Sequence, residues 1–191
     1  MERMAGGVTV GMFGKLPARG DFVTIGLPRD FVGPWDEWLS VVVAGSRSLM
    51  GANWLPAWLE APVWRFRFPP GLCGHAAVLG LLMPSLDRVG RYFPLTIAAV
   101  LTDRAAPPQA EADRWLDGCE AAGRAALERD AAPDEVVALL APLPTADDPA
   151  ATGPRWWTEG GPLVGARQMN CGLPDGAGFA AMLADAAEAE P

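Results

Sequence analysis

The stretch "VWRFRFPPGLCGHAAVLGLLMPSLDRVGRYFPLTIAAVL", residues 63–101, decides the fold. Its first six residues alternate strictly. Trp64, Phe66 and Phe68 share one side and Arg65 and Arg67 the other, the pattern of a strand with one wet face. The runs "AAVLGLLM" (76–83) and "FPLTIAAVL" (93–101) do not alternate, which predicts central strands covered on both faces. Between them "PSLDRVGRY" (84–92) is too long for a tight hairpin turn and carries more charge than its surroundings.

Outward from this segment, helical and extended patterns take turns. "VTV" (8–10) predicts a first strand with a glycine-rich loop after it. From Pro34, a residue suited to a first helical turn, Trp35, Trp38, Leu39, Val42, the small Ser46 and Leu49 fall at helical spacing. Trp54, Leu55, Trp58 and Leu59 predict a short helix that ends before Pro62. After the loop "DRAAPPQ" (103–109), Ala112, Trp115, Leu116, Cys119, Ala122 and Ala126 mark a long helix. Pro133 starts another, with Val136, Val137, Leu139 and Leu140. "PLPTADDPAATGPR" (142–155) is a proline-rich loop expected to be mobile. "RWW" (155–157) and "PLVGAR" (162–167) predict short strands, and Phe179, Met182, Leu183 and Ala186 a closing helix. Strands at start, middle and end with helices between them describe one α/β domain over residues 1–191. Its central sheet is expected to be mixed, largely antiparallel and covered by helices on both faces.

Composition narrows the function classes. Half of the 191 residues are apolar and eight are tryptophan, which argues for a packed core rather than disorder. A net charge of −8 disfavours nucleic acid and anionic membrane surfaces as partners. The start "MERMAGGVTVGMF" lacks the apolar segment of a signal peptide, and no apolar run reaches membrane-spanning length. Cys73, Cys119 and Cys171 are odd in number and form no C-x-x-C pair. Together these features predict a cytoplasmic protein with reduced thiols.

Catalytic signatures are incomplete. The chain's only lysine, Lys15, follows Gly14 in "VTVGMFGKLPARGDF" (8–22), a glycine-lysine loop that invites a phosphate-binding reading. A Walker A loop needs a glycine at position 9 and a hydroxyl residue at position 16. Here those positions hold Thr9 and Leu16, and Pro17 obstructs the helix that should meet the phosphate. A small phosphate- or nucleotide-binding enzyme using Gly14 and Lys15 stays open as the alternative function. The RGD triplet at 19–21 is a short match common by chance. The only histidine, His75, is expected to be structural at the entrance to a buried strand. It and Cys73 are too few for a zinc site, and Asp147 and Asp148 sit in the proline-rich loop. No metal or other cofactor is expected. One polar set remains. If the loop after the first strand and the 84–92 loop leave the same edge of the sheet, Lys15, Arg19, Asp21, Asp87, Arg88 and Arg91 come together. They would form either a partner-binding surface or an internal salt-bridge set, and both stay open.

Three stretches, "GMFGKLPARGDFV" (11–23), "GLPRDFVGPWDEWL" (26–39) and "PSLDRVGRYFPLTI" (84–97), together resemble the TagF (ImpM) family, accessory proteins of bacterial type VI secretion. The resemblance continues more weakly through "WW" (156–157) and "CGLP" (171–174). It implies a three-layer α/β fold and a cytoplasmic regulator rather than an enzyme. Such a regulator represses assembly of the secretion machine after translation by binding a forkhead-associated (Fha) scaffold protein. Some relatives carry a fused PppA-type phosphatase. With the sequence ending at Pro191, the expectation is that any such phosphatase acts in trans. All six residues of the polar set lie in the resembling stretches.

Overall fold

The computed structural model describes residues 7–129, 132–145 and 153–185. In chain order the elements are β1 (Val8–Gly14), β2 (Val23–Ile25), α1 (Arg29–Met50), α2 (Trp54–Glu60), β3 (Trp64–Phe68), β4 (Ala77–Met83), β5 (Leu95–Leu101), α3 (Gln109–Arg129), α4 (Pro133–Leu139), β6 (Arg155–Thr158), β7 (Arg167–Met169) and α5 (Gly176–Leu183). The strands form a single seven-stranded sheet in the order β2-β1-β5-β4-β3-β6-β7, and every neighbouring pair is antiparallel.

β5 is the centre. It pairs along its whole length with β4, from Leu101 opposite Ala77 to Leu95 opposite Met83, and on its other side with β1, from Val8 to Gly14. Both faces are covered, as the apolar runs predicted. Val78, Leu82, Ala98 and Val100 pack under α1, α2 and α5, while Leu79, Leu81, Met83, Ile97 and Ala99 pack under α3 and α4. The result is a three-layer α/β arrangement.

The first of these cores is aromatic and built around Trp35. Its ring lies 5.5 Å from Phe31, 4.7 Å from Trp38 and 4.9 Å from Phe66, centroid to centroid. Buried indoles need acceptors. Trp35 donates to the Thr96 hydroxyl at 2.8 Å, Trp54 to Ser46 Oγ at 3.0 Å and Trp64 to the Met182 carbonyl at 2.9 Å. Ser46, a small polar residue on an apolar helix face, is therefore placed by the indole it receives. Gly80 makes room on the same face. A Cβ there would stand 2.7 Å from the Phe66 ring and 2.8 Å from the Ile97 carbonyl oxygen.

Several expectations are corrected. The strand that starts at Val8 continues through "GMFG", because its glycines allow close backbone approach rather than a loop. A Cβ at Gly11 would lie 2.0 Å from the Ile25 carbonyl oxygen. α1 begins at Arg29, so Pro34 lies inside the helix and not in its first turn. The arginine face of β3 is not wet: Arg65 is 6% exposed beneath α3. β7 occupies 167–169 and shares only Arg167 with the expected "PLVGAR", whose Val164 otherwise forms an isolated bridge with Gly161. Leu49, Leu55, Leu59 and Leu139, assigned to apolar helix faces, are exposed. Residues 146–152 of the proline-rich loop, with Asp147 and Asp148, and Ala186 of the closing helix lie outside the described residues.

Replacing Gly80 with valine is expected to destabilise the chain by about 1–3 kcal/mol, lowering the melting midpoint by roughly 2–12 °C. Gly118 sits exposed on α3 with open space where a Cβ would stand, so Gly118→Ala is expected to raise stability by about 0.5–1 kcal/mol. Calorimetric melting of both variants checks the contrast; a Gly80→Val midpoint at or above wild type contradicts the packing account.

Candidate functional site

The register of the sheet brings the two charged loops together. Gly14, the last residue of β1, and Met83, the last of β4, both lie opposite Leu95 at the start of β5. The Lys15–Phe22 connection and the 84–94 connection therefore leave the sheet at one end, flanking the same strand.

Asp87 joins them. Its carboxylate is 1% exposed and accepts from the Lys15 ammonium at 2.9 Å and the Arg91 Nε at 2.6 Å, both on Oδ2. On Oδ1 it accepts from the backbone amides of Val89 at 3.0 Å and Arg91 at 2.9 Å. Lys15, itself 6% exposed, has its ammonium 5.1 Å from the centre of the Phe22 ring. Backbone ties complete the clasp. The Arg88 amide donates to the Arg19 carbonyl at 2.9 Å and Arg91 Nη2 to the Gly20 carbonyl at 2.6 Å. Ser85 Oγ donates to the Lys15 carbonyl at 2.6 Å. Burial by itself would push the Asp87 carboxyl up. The Arg91 amide, the Lys15 ammonium, the Arg91 guanidinium and the Val89 amide outweigh it and hold the carboxyl well below the usual carboxylate range.

The six residues singled out in the sequence thus separate into two tiers. Lys15 and Asp87 are inside, and Arg91 reaches in from the surface to join them. Arg19, Asp21 and Arg88 are exposed, and the Arg19 and Arg88 guanidiniums meet no carboxylate or carbonyl among the described residues. Two apolar side chains accompany them, Phe22 at 48% and Val89 at 67% exposure. A groove of about 480 Å³ runs from this rim along the unpaired edge of β2 to Pro133 and Asp134 of α4. Phe22, Val89 and Ser85 were not singled out from the sequence. An exposed aromatic beside buried Phe13 and Phe93 has no periodicity to betray it.

The other candidates separate. His75 lies just ahead of β4, at the entrance to the buried strand as expected, but is exposed rather than packed, and Cys73 is buried, its thiol pushed up to about 11 by burial. Among the described residues no cluster of His, Cys, Asp and Glu could hold a metal ion, and no helix is long and apolar enough to cross a membrane.

The profile of the TagF N-terminal domain, a type VI secretion system-associated family, matches residues 11–143, a span that includes both loops of the clasp. The chain belongs to the TagF N-terminal domain family. The fold of this TagF domain is similar to the crystal structure of PA0076 from Pseudomonas aeruginosa PAO1. The two share 36% identity over 96% of this chain and 97% of that one, with a TM-score of 0.83. No curated protein matches the chain. Two of the stretches that carried the family resemblance, 11–23 and 84–97, are the two halves of the Asp87 clasp, and the third, 26–39, supplies Trp35.

The ordinary ionisation value of an aspartate, 3.8, sets where the clasp responds to acid. Because the folded-state value is depressed, the stabilisation is full above the unfolded value and is lost as pH falls toward the folded one. Asp87→Asn removes the charge at every pH. Its melting midpoint should therefore fall furthest below wild type near neutrality, with the gap narrowing below about pH 4. Calorimetry from pH 7 to pH 3 tests this, and a gap independent of pH would locate the effect elsewhere.

Proposed function

We propose that this TagF-family chain is a cytoplasmic negative regulator of type VI secretion that represses assembly after translation by binding an Fha scaffold protein. It works by protein contact, without a cofactor, without nucleic acid and without insertion into a membrane. A PppA-type phosphatase, where one takes part, acts in trans. The observation that carries the binding reading is the rim above the clasp. Arg19 and Arg88 hold guanidiniums unpaired among the described residues, next to exposed Phe22 and Val89, on loops fixed from beneath by Asp87. Rigid arginine and aromatic side chains are the kind that dominate protein interfaces, and a fixed backbone leaves less order to be imposed on binding. Asp21 and Arg91 frame this surface, while Lys15 and Asp87 act on it from below.

The phosphate-binding alternative has less to support it. The Lys15 ammonium is buried against Asp87, and Gly14 closes a strand paired on both sides, so neither is presented to a ligand.

Reversing Arg19 and Arg88 together to glutamate is expected to weaken capture of the Fha scaffold by roughly tenfold or more, with the melting midpoint within about 2 °C of wild type. Arg91→Ala, in contrast, should lower the midpoint because it strips a donor from Asp87. In the cell, loss of the chain should raise type VI secretion and excess should suppress it. Unchanged scaffold binding by the double reversal moves the interface elsewhere on the domain. Secretion indifferent to both loss and excess removes the regulatory reading itself.

A further inference from the structure

On the face of the sheet covered by α3, two arginines receive opposite treatment. Arg65 points its guanidinium at three carboxylates of that helix: Asp113 at 3.8 Å, Asp117 at 2.6 Å and Glu120 at 3.2 Å. Arg67, two residues along the same face, has no carboxylate within ion-pair distance among the described residues. Instead it stands directly opposite Arg155 in the β3–β6 ladder. Like charges at opposed positions of neighbouring strands repel. Here both side chains are half-buried, so water screens them incompletely.

Among the described residues the groups that accept directly from the pair are neutral, and the nearest acid, Asp113, is engaged by Arg65 and Gln109. Arg67 Nη2 donates to the Pro107 carbonyl at 3.1 Å. Arg155 donates to the side-chain oxygens of Gln109, at 3.2 Å, and Gln168, and its guanidinium lies 5.3 Å from the Trp157 ring centre. The Nε–H groups of Arg67 and Arg155 are both buried with no acceptor among the described residues. Such orphaned donors call for a partner. Burial, and after it the charge of Arg155, pull the Arg67 guanidinium below its ordinary value, and the more distant Asp113 carboxylate offsets them only in part. Both arginines line one recess of about 330 Å³. Among the described residues its other walls are Gly153, Pro154, Gln168 and Asn170, with no acid among them. Gln168 lies on the same face as Arg155, because it pairs with Trp157 across the β6–β7 ladder.

We propose that the Arg67–Arg155 recess is a binding site for a phosphate-class oxyanion, free or as a monoester, seated between the two guanidiniums. A tetrahedral dianion has the oxygens to accept from two planar forks at once, and its charge replaces the carboxylates that Arg65 has and Arg67 lacks. Exposed Asn170, whose Oδ1 accepts from Gln168 Nε2 at 3.1 Å, lines the same recess. The site lies on β3 and β6, outside the β1, β5 and β4 strands whose ends carry the Asp87 clasp.

The test is titration of the full chain with sodium phosphate against sodium chloride at equal ionic strength. Binding at about ten times the dissociation constant should raise the melting midpoint by roughly 3–6 °C, and the rise should saturate. Phosphate also stabilises proteins by exclusion from their surface, but that effect grows without saturation and survives mutation. The Arg67→Gln and Arg155→Gln variants, each first checked for a wild-type circular dichroism spectrum, should lose the saturable rise. In the unaltered protein, the Nε–H resonances of Arg67 and Arg155 should shift along the same titration, which does not depend on either variant folding. Phosphoserine in a second arm separates the sources: a matching response means that the recess admits a monoester, and a response to inorganic phosphate alone means that it closes around the free ion. A rise without saturation, a saturable rise retained by both variants, or Nε–H resonances that stay fixed overturns the proposal.

Discussion

A carboxylate taken out of water has to be met by donors on every side, and the loops of this domain are arranged around meeting one. Asp87 receives an ammonium, a guanidinium and two backbone amides, drawn from two connections more than sixty residues apart in the chain. The pairing could not be loosened locally. Removing any one donor leaves a charge buried without its full complement, which is far more damaging than never having buried it. The exposed Arg19 and Arg88 inherit their positions from this, since the backbone of one is bonded to the backbone of the other. A surface that belongs to two loops thereby behaves as part of the sheet.

The sheet imposes a second constraint of the same kind. Because β3, β4 and β5 are covered on both faces, a cation on the α3 face must find its counter-charge within the protein. α3 supplies it by spacing acids at 113, 117 and 120, a helical stripe that lies over Arg65. At its first turn the helix offers Gln109 instead, and Arg67 and Arg155, bonded to Pro107 and Gln109 there, stand opposite each other.

What could be read from the sequence follows from the range of the physics involved. Alternation in "VWRFRF" and its absence in the runs at 76–83 and 93–101 are local, and they located three adjacent strands of the core. That the arginine side of β3 is dry was not legible, because period 2 tells which residues share a face and nothing of what covers it. The acids that accept Arg65 are about fifty residues away. β2 and β7, three residues each, are too short to show any period. The glycines of "GMFG" signal permissive backbone, and a loop and a strand under close approach use that permission alike. The meeting of the two charged loops was legible only as a condition, that both leave one edge of the sheet, because the strand order that puts β1 and β4 on either side of β5 was not. Which of their charges would be inside was not, because burial of Asp87 depends on donors that only the folded register brings into range.

The position of the chain's only lysine fits this division. Cations elsewhere are arginines, yet the one enclosed against Asp87 is Lys15. A guanidinium carries five N–H donors on a rigid plane and would demand acceptors that this interior does not hold, whereas an ammonium is a compact charge with three. The Asp87 oxygen takes one of its donors, and the face of Phe22 lies 5.1 Å away to receive positive charge without a hydrogen bond. Arg91, coming from outside, keeps the rest of its fork at the surface and directs one branch to the Gly20 carbonyl. The clasp therefore uses each cation where its geometry can be satisfied: the small one within, the forked one at the boundary. A glycine-lysine pair after a first strand looks like a phosphate loop, but here the glycine lets two backbones close in and the lysine neutralises the carboxylate that holds the facing loop.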